Sequence, residues 1–200
     1  GIQFVKNDDI LRMTATDGHR LAIIKRKFEE PTQDFELIIP KKTCKEILNL
    51  IEEADDSVLF CCSENKVVFQ FGRTQLSNLI EGKYPDMEKA IPVIEDNLLS
   101  FNRKAMLGAI RRVSIFSDSV SYGIRFDLDK DRVTISSNDP ELGEAKEELE
   151  VGFNSRYIQE VLTIIKCEDV MMKLTDPSSS VLLLDPEDKE FLCLIMPMRI

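Results

Sequence analysis

The sequence contains no run of about 18 apolar residues, the length a helix needs to cross a membrane. Its first residues, Gly1-Ile2-Gln3-Phe4-Val5-Lys6, lack the basic-then-apolar order of a signal peptide. Both absences predict a soluble chain that is not exported and has no membrane partner. Five cysteines, Cys44, Cys61, Cys62, Cys167 and Cys193, make an odd set without C-x-x-C spacing, which argues against a disulfide framework and a structural zinc site. They read as small core residues in a reducing cytoplasm. The eight glycines are scattered singly, so no phosphate-cradling loop is expected, and no cofactor or metal is predicted. His19 is the only histidine. Asp17 lies two residues before it, on the same face of an extended segment, and such a pair could suggest general-base catalysis. No nucleophile elbow stands nearby, so His19 is expected to be a surface or pocket-wall residue, and no catalytic residue is assigned.

Two hundred residues with 43% hydrophobic content can bury one large core or two modest ones. The formal charge of −10 argues at first against duplex DNA, because sequence-independent affinity comes from Lys and Arg neutralising phosphates. The average hides a local field. Ser100 to Ser117 carries four basic residues, Arg103, Lys104, Arg111 and Arg112, and no acid, whereas Asp139 to Glu150 carries six acids against one lysine. One basic face on an acidic body is expected.

The chain repeats itself. Gly1-Ile2-x-Phe4, then Ile10, then Thr16-Asp17 recurs as Gly123-Ile124-x-Phe126, then Val133, then Asn138-Asp139, with sixteen residues from glycine to aspartate in both copies. Alternating apolar and polar residues around Lys6 to Asp9 and Asp129 to Arg132 predict two equivalent hairpins. Each is followed by a strand and a helix: Phe35 to Pro40 into Lys41 to Glu53, striped by Ile47, Leu48, Leu50 and Ile51, and Glu150 to Asn154 into Ser155 to Lys166, striped by Ile158, Val161, Leu162 and Ile165. Asn154 has the chemistry of an N-cap. Further strands are expected at Val58 to Cys62, Val67 to Phe71, Val170 to Leu174 and Val181 to Leu184. A period of roughly 120 residues is too long for a solenoid and suits duplicated α+β domains. Gly82 to Pro92, with two prolines and a glycine, reads as an ordered connector. Asn97 to Ser117 reads as a strand and a helix with Ala105, Met106, Ala109, Ile110 and Val113 on one side. The domains are placed at 1–94 and 95–200. Only the second has a strand and basic helix before its Gly-Ile-x-Phe, so the first is expected to lack them, with an empty helix seat and a bare sheet edge in a fragment of something longer.

Thr14-Ala15-Thr16-Asp17-Gly18-His19-Arg20-Leu21-Ala22 closely resembles the A-T-D-G-H-R-L-A stretch in the middle domain of bacterial DNA sliding clamps, the beta subunits of DNA polymerase III. Leu79 to Asp86 resembles the interdomain stretch of that family, Phe153-Asn154-x-x-Tyr157 the start of an inner helix, and Ile195-Met196-Pro197-Met198-Arg199-Ile200 the terminal M-P-M-R-L tail. Four motifs in family order span the whole chain. The resemblance implies a DNA-clamp fold of three similar domains, paired head to tail into a homodimeric ring with helices on the inner, DNA face and antiparallel sheets outside. This chain would hold most of the middle domain and all of the third, and would not close that ring alone. Glu147 to Gly152 is several residues shorter than the family's stretch.

The same resemblance implies a non-catalytic subunit of a polymerase holoenzyme, with duplex DNA, the DNA polymerase III alpha subunit, the clamp loader and other clamp-binding-motif proteins as partners. Those proteins would be held through a short motif of a glutamine and apolar residues, seated in a pocket matched here by Thr16, Gly18, His19, Arg20, Leu21, Pro85, Lys89, Ala90, Asn154, Tyr157, Val181, Leu194, Ile195, Met196, Pro197, Met198, Arg199 and Ile200. The tail would expose two adaptable methionines beside a proline-fixed bend; the plainer alternative is a last strand that only closes a core. Facing DNA would be Arg103, Lys104, Arg111 and Arg112, with Lys41, Lys42 and Lys45 of the first copy's helix and Arg156 and Lys166 of the second's. The dimer edge would use Ile115 and Phe116 as apolar contacts and Glu144 and Glu147 as charged ones. A peptide-binding adaptor that never encircles DNA is the competing reading, and the four basic positions of Ser100 to Ser117 count against it.

Overall fold

The computed structural model describes residues 1–28, 32–51, 58–71, 73–92, 98–129, 132–137, 149–174, 176 and 178–198. Two compact units emerge. One comprises residues 1–16 and 23–87, the other residues 17–22 and 88–200.

In the first unit, strands β1 (Ile2–Asn7) and β2 (Ile10–Thr16) form the hairpin expected from the repeat, in register from Ile2 opposite Ala15 to Asn7 opposite Ile10. The two-residue turn places Asp8 at φ 51, a left-handed conformation that aspartate tolerates better than most residues. Buried Lys6 reaches this turn: its Nζ donates to the carbonyls of Asp8 and Thr32 at 2.7 and 2.9 Å. Strand β3 runs over Arg20–Lys27, and β4 (Phe35–Ile39) pairs antiparallel with β1, with Phe4 opposite Leu37. Helix α1 (Lys41–Ile51) leads to β5 (Leu59–Cys62), β6 (Lys66–Phe71) and β7 (Arg73–Asn78), an antiparallel sheet in that order. Its core is Ile39, Ile47, Val67 and Phe69, with Phe4, Cys44, Leu50 and Phe60 packed around them.

The second unit repeats the plan with more parts. Strand β8 (Leu98–Asn102) and helix α2 (Arg103–Val113) precede β9 (Gly123–Asp129), β10 (Arg132–Ser137) and β11 (Leu149–Asn154). Helix α3 (Ser155–Ile164) is followed by β12 (Asp169–Lys173), β13 (Val181–Asp185) and β14 (Asp188–Ile195). The sheets run β10-β9-β11 and β14-β13-β12-β8. Phe126 lies opposite Val151 on β11, as Phe4 lies opposite Leu37 in the first unit. Both complete helices begin at an asparagine cap: Asn102 accepts from Ala105 N, and Asn154 from Arg156 N, each at 3.0 Å. Side chains of α2, α3 and both sheets fill one core around Ile110, Ile124, Phe126, Phe153, Leu162, Val170 and Leu183. The Phe126 and Phe153 rings meet edge to face at 5.4 Å, the favoured geometry for an aromatic pair.

The structure departs from the sequence reading in several places. The α3 helix ends at Ile164, because Ile165 turns to extended backbone at φ −60 and ψ 133; α1 is described to Ile51, and Glu53 lies outside the described residues. In the stripe of α1 only Ile47 is buried, and Leu48 and Ile51 are 61% and 44% exposed. Their equivalents in the repeat, Leu162 and Ile165, are sealed in the core that contains Met106, Leu107 and Ile110 of α2. On α2 the buried residues are Met106, Leu107 and Ile110, while Ala105 is exposed. Strand β7, Arg-Thr-Gln-Leu-Ser-Asn, carries no apolar alternation and forms by pairing with β6.

The cysteines divide by environment. Cys61 and Cys62 are exposed on β5, Cys44 is half-buried, and Cys167 and Cys193 are buried. Burial pushes the Cys193 thiol up to about 12 and, helped by Asp185, the Cys167 thiol up to about 11. A thiol-disulfide reagent at pH 8 is expected to titrate Cys61 and Cys62 quickly and Cys167 and Cys193 only after denaturation; five fast thiols would contradict this packing. The two raised values also predict stability that is fully present below about pH 9 and is lost as pH climbs toward the folded values, since the unfolded thiols ionise first.

Candidate functional site

Residues 17–22 group with the second unit although they follow β2. They begin with a tight turn. The Asp17 carboxylate accepts from the backbone N–H groups of His19 and Arg20, both at 3.1 Å, an Asx arrangement that caps the turn locally. Gly18 sits at φ +86, where a side chain would be strained. The turn sends His19 outward and brings Arg20 and buried Leu21 onto β3.

Across from this turn stands the start of α3. Asn154 caps the helix and its Nδ2 donates to Ser121 O at 3.0 Å. Tyr157, one turn in, is half-buried at the margin of the core. The Arg20 guanidinium lies over the Tyr157 ring, 4.4 Å from its centroid, and the His19 ring lies 6.4 Å away with 22° between the planes. Arg20 Nε donates to Asp17 Oδ2 at 3.0 Å and its terminal nitrogen to Glu160 Oε2 at 2.5 Å. Burial works against both charges. The paired carboxylates, Glu160 foremost, nevertheless raise the Arg20 value, and Arg20 with the turn amides lowers that of Asp17.

The carboxy-terminal segment makes the third side. Strand β14 ends at Ile195, and Met196 N then donates to His19 O at 2.9 Å. Two residues on, Met198 N donates to Gly152 O at 2.9 Å. The chain is thereby fixed at two points either side of Pro197, with Met196 43% exposed and Met198 half-buried beside Gly123. Behind this edge, Val181, Leu194 and Ile195 are buried. A wall of His19, Tyr157 and Met196 backed by apolar core is suited to apolar anchors, with polar groups at its rim.

Of the remaining candidates, Lys89 and Ala90 lie exposed in a short 3-10 turn at Glu88–Ala90 of the second unit, while Thr16 and Pro85 belong to the first. Arg199 and Ile200 lie outside the described residues. Lys104, Arg111 and Arg112 are exposed on α2, Lys41, Lys42 and Lys45 on α1, and Arg156 and Lys166 in and after α3. Arg103 differs. Its Nε donates to Cys167 O at 2.8 Å and its terminal nitrogen to Leu162 O at 3.0 Å, so its guanidinium turns inward to satisfy carbonyls at the end of α3. Arg156 lies over the Tyr122 ring at 3.4 Å. Ile115 and Phe116, in the 3-10 turn after α2, are 75% and 78% exposed, and Glu144 and Glu147 lie outside the described residues. Two residues carry no signal in the sequence: Glu160, whose partner Arg20 is 140 residues away, and Val120, which is 86% exposed four residues after Phe116. The Asp17 carboxylate is committed to Arg20 and the turn amides. Among the described residues no group of three His, Cys, Asp or Glu is placed to hold a metal, and no helix is long and apolar enough to cross a membrane.

Comparison with known proteins follows the two units closely. The family model for the DNA polymerase III beta subunit, central domain, matches residues 1–86, and that for its C-terminal domain matches residues 88–199. The beta sliding clamp of Haemophilus influenzae is 34% identical over 210 residues, and that of Escherichia coli K12 is 30% identical. Each alignment covers all of this chain and 57% of the relative, so the chain spans little more than half of their length. The crystal structure of the Pseudomonas aeruginosa sliding clamp bound to griselimycin superposes with a TM-score of 0.90 at 33% identity, covering 100% of this chain and 57% of the other. The clamp from Bacillus subtilis gives a TM-score of 0.89 at 27% identity, over 100% and 56%.

Proposed function

Since the chain belongs to the DNA polymerase III beta subunit family, the bacterial sliding clamps, we propose that it is a segment of a processivity factor that encircles duplex DNA and tethers the replicative polymerase through a peptide-binding pocket. It acts in the cytoplasm as a non-catalytic holoenzyme subunit made of a middle domain, residues 1–94, and a third domain, residues 95–200. Its partners are the DNA polymerase III alpha subunit, the clamp loader and other proteins carrying the glutamine-and-apolar motif. In the full-length protein Ile115, Phe116, Glu144 and Glu147 contribute to a homodimer edge.

One observation carries the peptide reading: His19 joins three segments far apart in sequence, its ring stacking with that of Tyr157 at 6.4 Å and its carbonyl accepting from Met196 N at 2.9 Å, with Met196 exposed beside it. Lys89 and Ala90, exposed in the same unit, are proposed to belong to its rim. A labelled peptide with a glutamine and leucines is expected to bind the chain and to bind poorly once Met196 to Ile200 are removed. Equal binding by both forms, or binding by neither, removes the pocket.

The DNA reading rests on exposed Lys104, Arg111 and Arg112 on α2 and Lys41, Lys42 and Lys45 on α1 in a chain of net charge −10. These residues favour the ring over an adaptor that never meets DNA. A ring needs weak, sequence-blind phosphate contact, because topology supplies retention and tight binding would impede sliding. Charge reversal at Arg111 and Arg112 in the full-length protein is expected to slow loading or sliding on DNA and to leave peptide affinity unchanged. Unaltered loading and sliding would remove these two residues from the DNA face.

A further inference from the structure

Glu160 is given no part in peptide binding above, and its place in the fold gives it a role that rests on the peptide reading of the Tyr157 wall. Tyr157 and Glu160 are three residues apart on α3 and therefore share a face of the helix. Arg20 reaches them from the Asp17 turn. Its guanidinium is gripped at two edges, by Asp17 through Nε and by Glu160 through a terminal nitrogen, while its plane covers the Tyr157 ring at 4.4 Å. A guanidinium over an aromatic face within about 6 Å gains a cation–π attraction, but one such contact leaves a long side chain free to swing. Two carboxylates on a planar fork remove that freedom. The same position in the first copy, Glu46 of α1, accepts from Gln75 at 2.9 Å and lies 3.9 Å from Lys42, with Thr43 where α3 has Tyr157. The grip is thus a property of the second unit.

We propose that Glu160 is a positioning residue of the peptide site, which with Asp17 holds the Arg20 guanidinium flat on Tyr157 and so keeps the ring set as a wall for an apolar anchor of the partner. Glu160 does this from the surface: its side chain is 59% exposed and that of Arg20 28%. An ion pair so open to water adds little to folding. Its effect is to be sought in binding.

The test uses the 200-residue chain and a labelled peptide carrying a glutamine and leucines. Glu160→Ala is expected to weaken binding roughly tenfold, and Glu160→Gln, which keeps the acceptor, only about threefold. Neither is expected to move the midpoint of urea unfolding appreciably. In an Arg20→Ala background, Glu160→Ala is expected to add less than about twofold, since the residue acts through Arg20. A resolved Arg20 Nη–H resonance is expected in a nitrogen-15 spectrum of the wild type, where Glu160 holds the terminal nitrogen, and is expected to be lost to rotation and solvent exchange in Glu160→Ala, while the Nε–H held by Asp17 is retained. A Glu160→Ala chain that binds within twofold of wild type while Arg20→Ala is impaired would overturn the positioning role and leave the pocket standing, as would additive losses in the double variant. Failure of the peptide reading looks different: wild type and Arg20→Ala would bind alike or not at all, and the proposal falls with it.

Discussion

Leu162→Ala is expected to destabilise the second unit by about 2–5 kcal/mol, the range for removing a fully buried leucine, whereas Leu48→Ala should change the first unit by no more than about 0.5 kcal/mol. The two leucines are each the eighth residue of their helices, α3 and α1, and occupy equivalent places in the repeat. What differs is the surroundings. Leu162 is 0% exposed in a core shared with Met106, Leu107 and Ile110 of α2, while Leu48 is 61% exposed. Urea unfolding of the two variants, with the loss of each unit followed by its own resolved amide signals, measures both effects. Equal costs would mean that the repeat has been aligned wrongly or that Leu48 has a partner.

The second large effect concerns the wall. Tyr157→Ala is expected to weaken binding of the glutamine-and-leucine peptide by about 2 kcal/mol or more, roughly thirtyfold, as for other aromatic anchors at the centre of an interface. Three groups would lose their common platform: the Arg20 guanidinium at 4.4 Å, the His19 ring at 6.4 Å, and the Asp17 turn that Arg20 connects to α3. Tyr157→Phe keeps the ring face and should bind within about threefold of wild type, since the ring supplies most of the contact area. Titration by fluorescence anisotropy separates the two variants. Comparable losses in both would move the important contact from the ring face to the hydroxyl.

Much of this architecture was legible from local chemistry. The Gly-Ile-x-Phe repeat gave the hairpins β1–β2 and β9–β10 in matching register, because alternating burial ties strand register to sequence. Asn154 was readable as a cap because an asparagine before an apolar stripe has few other uses. The exposure of Leu48 and Ile51 was not legible: a stripe shows that a helix has an apolar face, not what covers it. Strand β7 escaped because its pairing comes from β6 and not from its own residues. Arg103 read as one more cation on a basic helix, yet the carbonyls it satisfies belong to Cys167 and Leu162, far along the chain.

The candidate site divides in the same way. The resemblance to the family put His19, Arg20, Tyr157 and the tail on one list; the fold of the second unit sets His19 and Arg20 against the Tyr157 ring and bonds Met196 to the His19 carbonyl. Glu160 and the turn-capping role of Asp17 depend on hydrogen-bond geometry that no spacing rule encodes.

The most direct test of the account is a nitrogen-15 titration of the chain with the glutamine-and-leucine peptide. Saturable shifts are predicted for the amides of His19, Arg20, Gly152, Tyr157, Met196 and Met198, with those of β5 and the exposed face of α1 unmoved. Shifts confined to residues away from Tyr157, with His19 and Met196 unchanged at saturation, would contradict it.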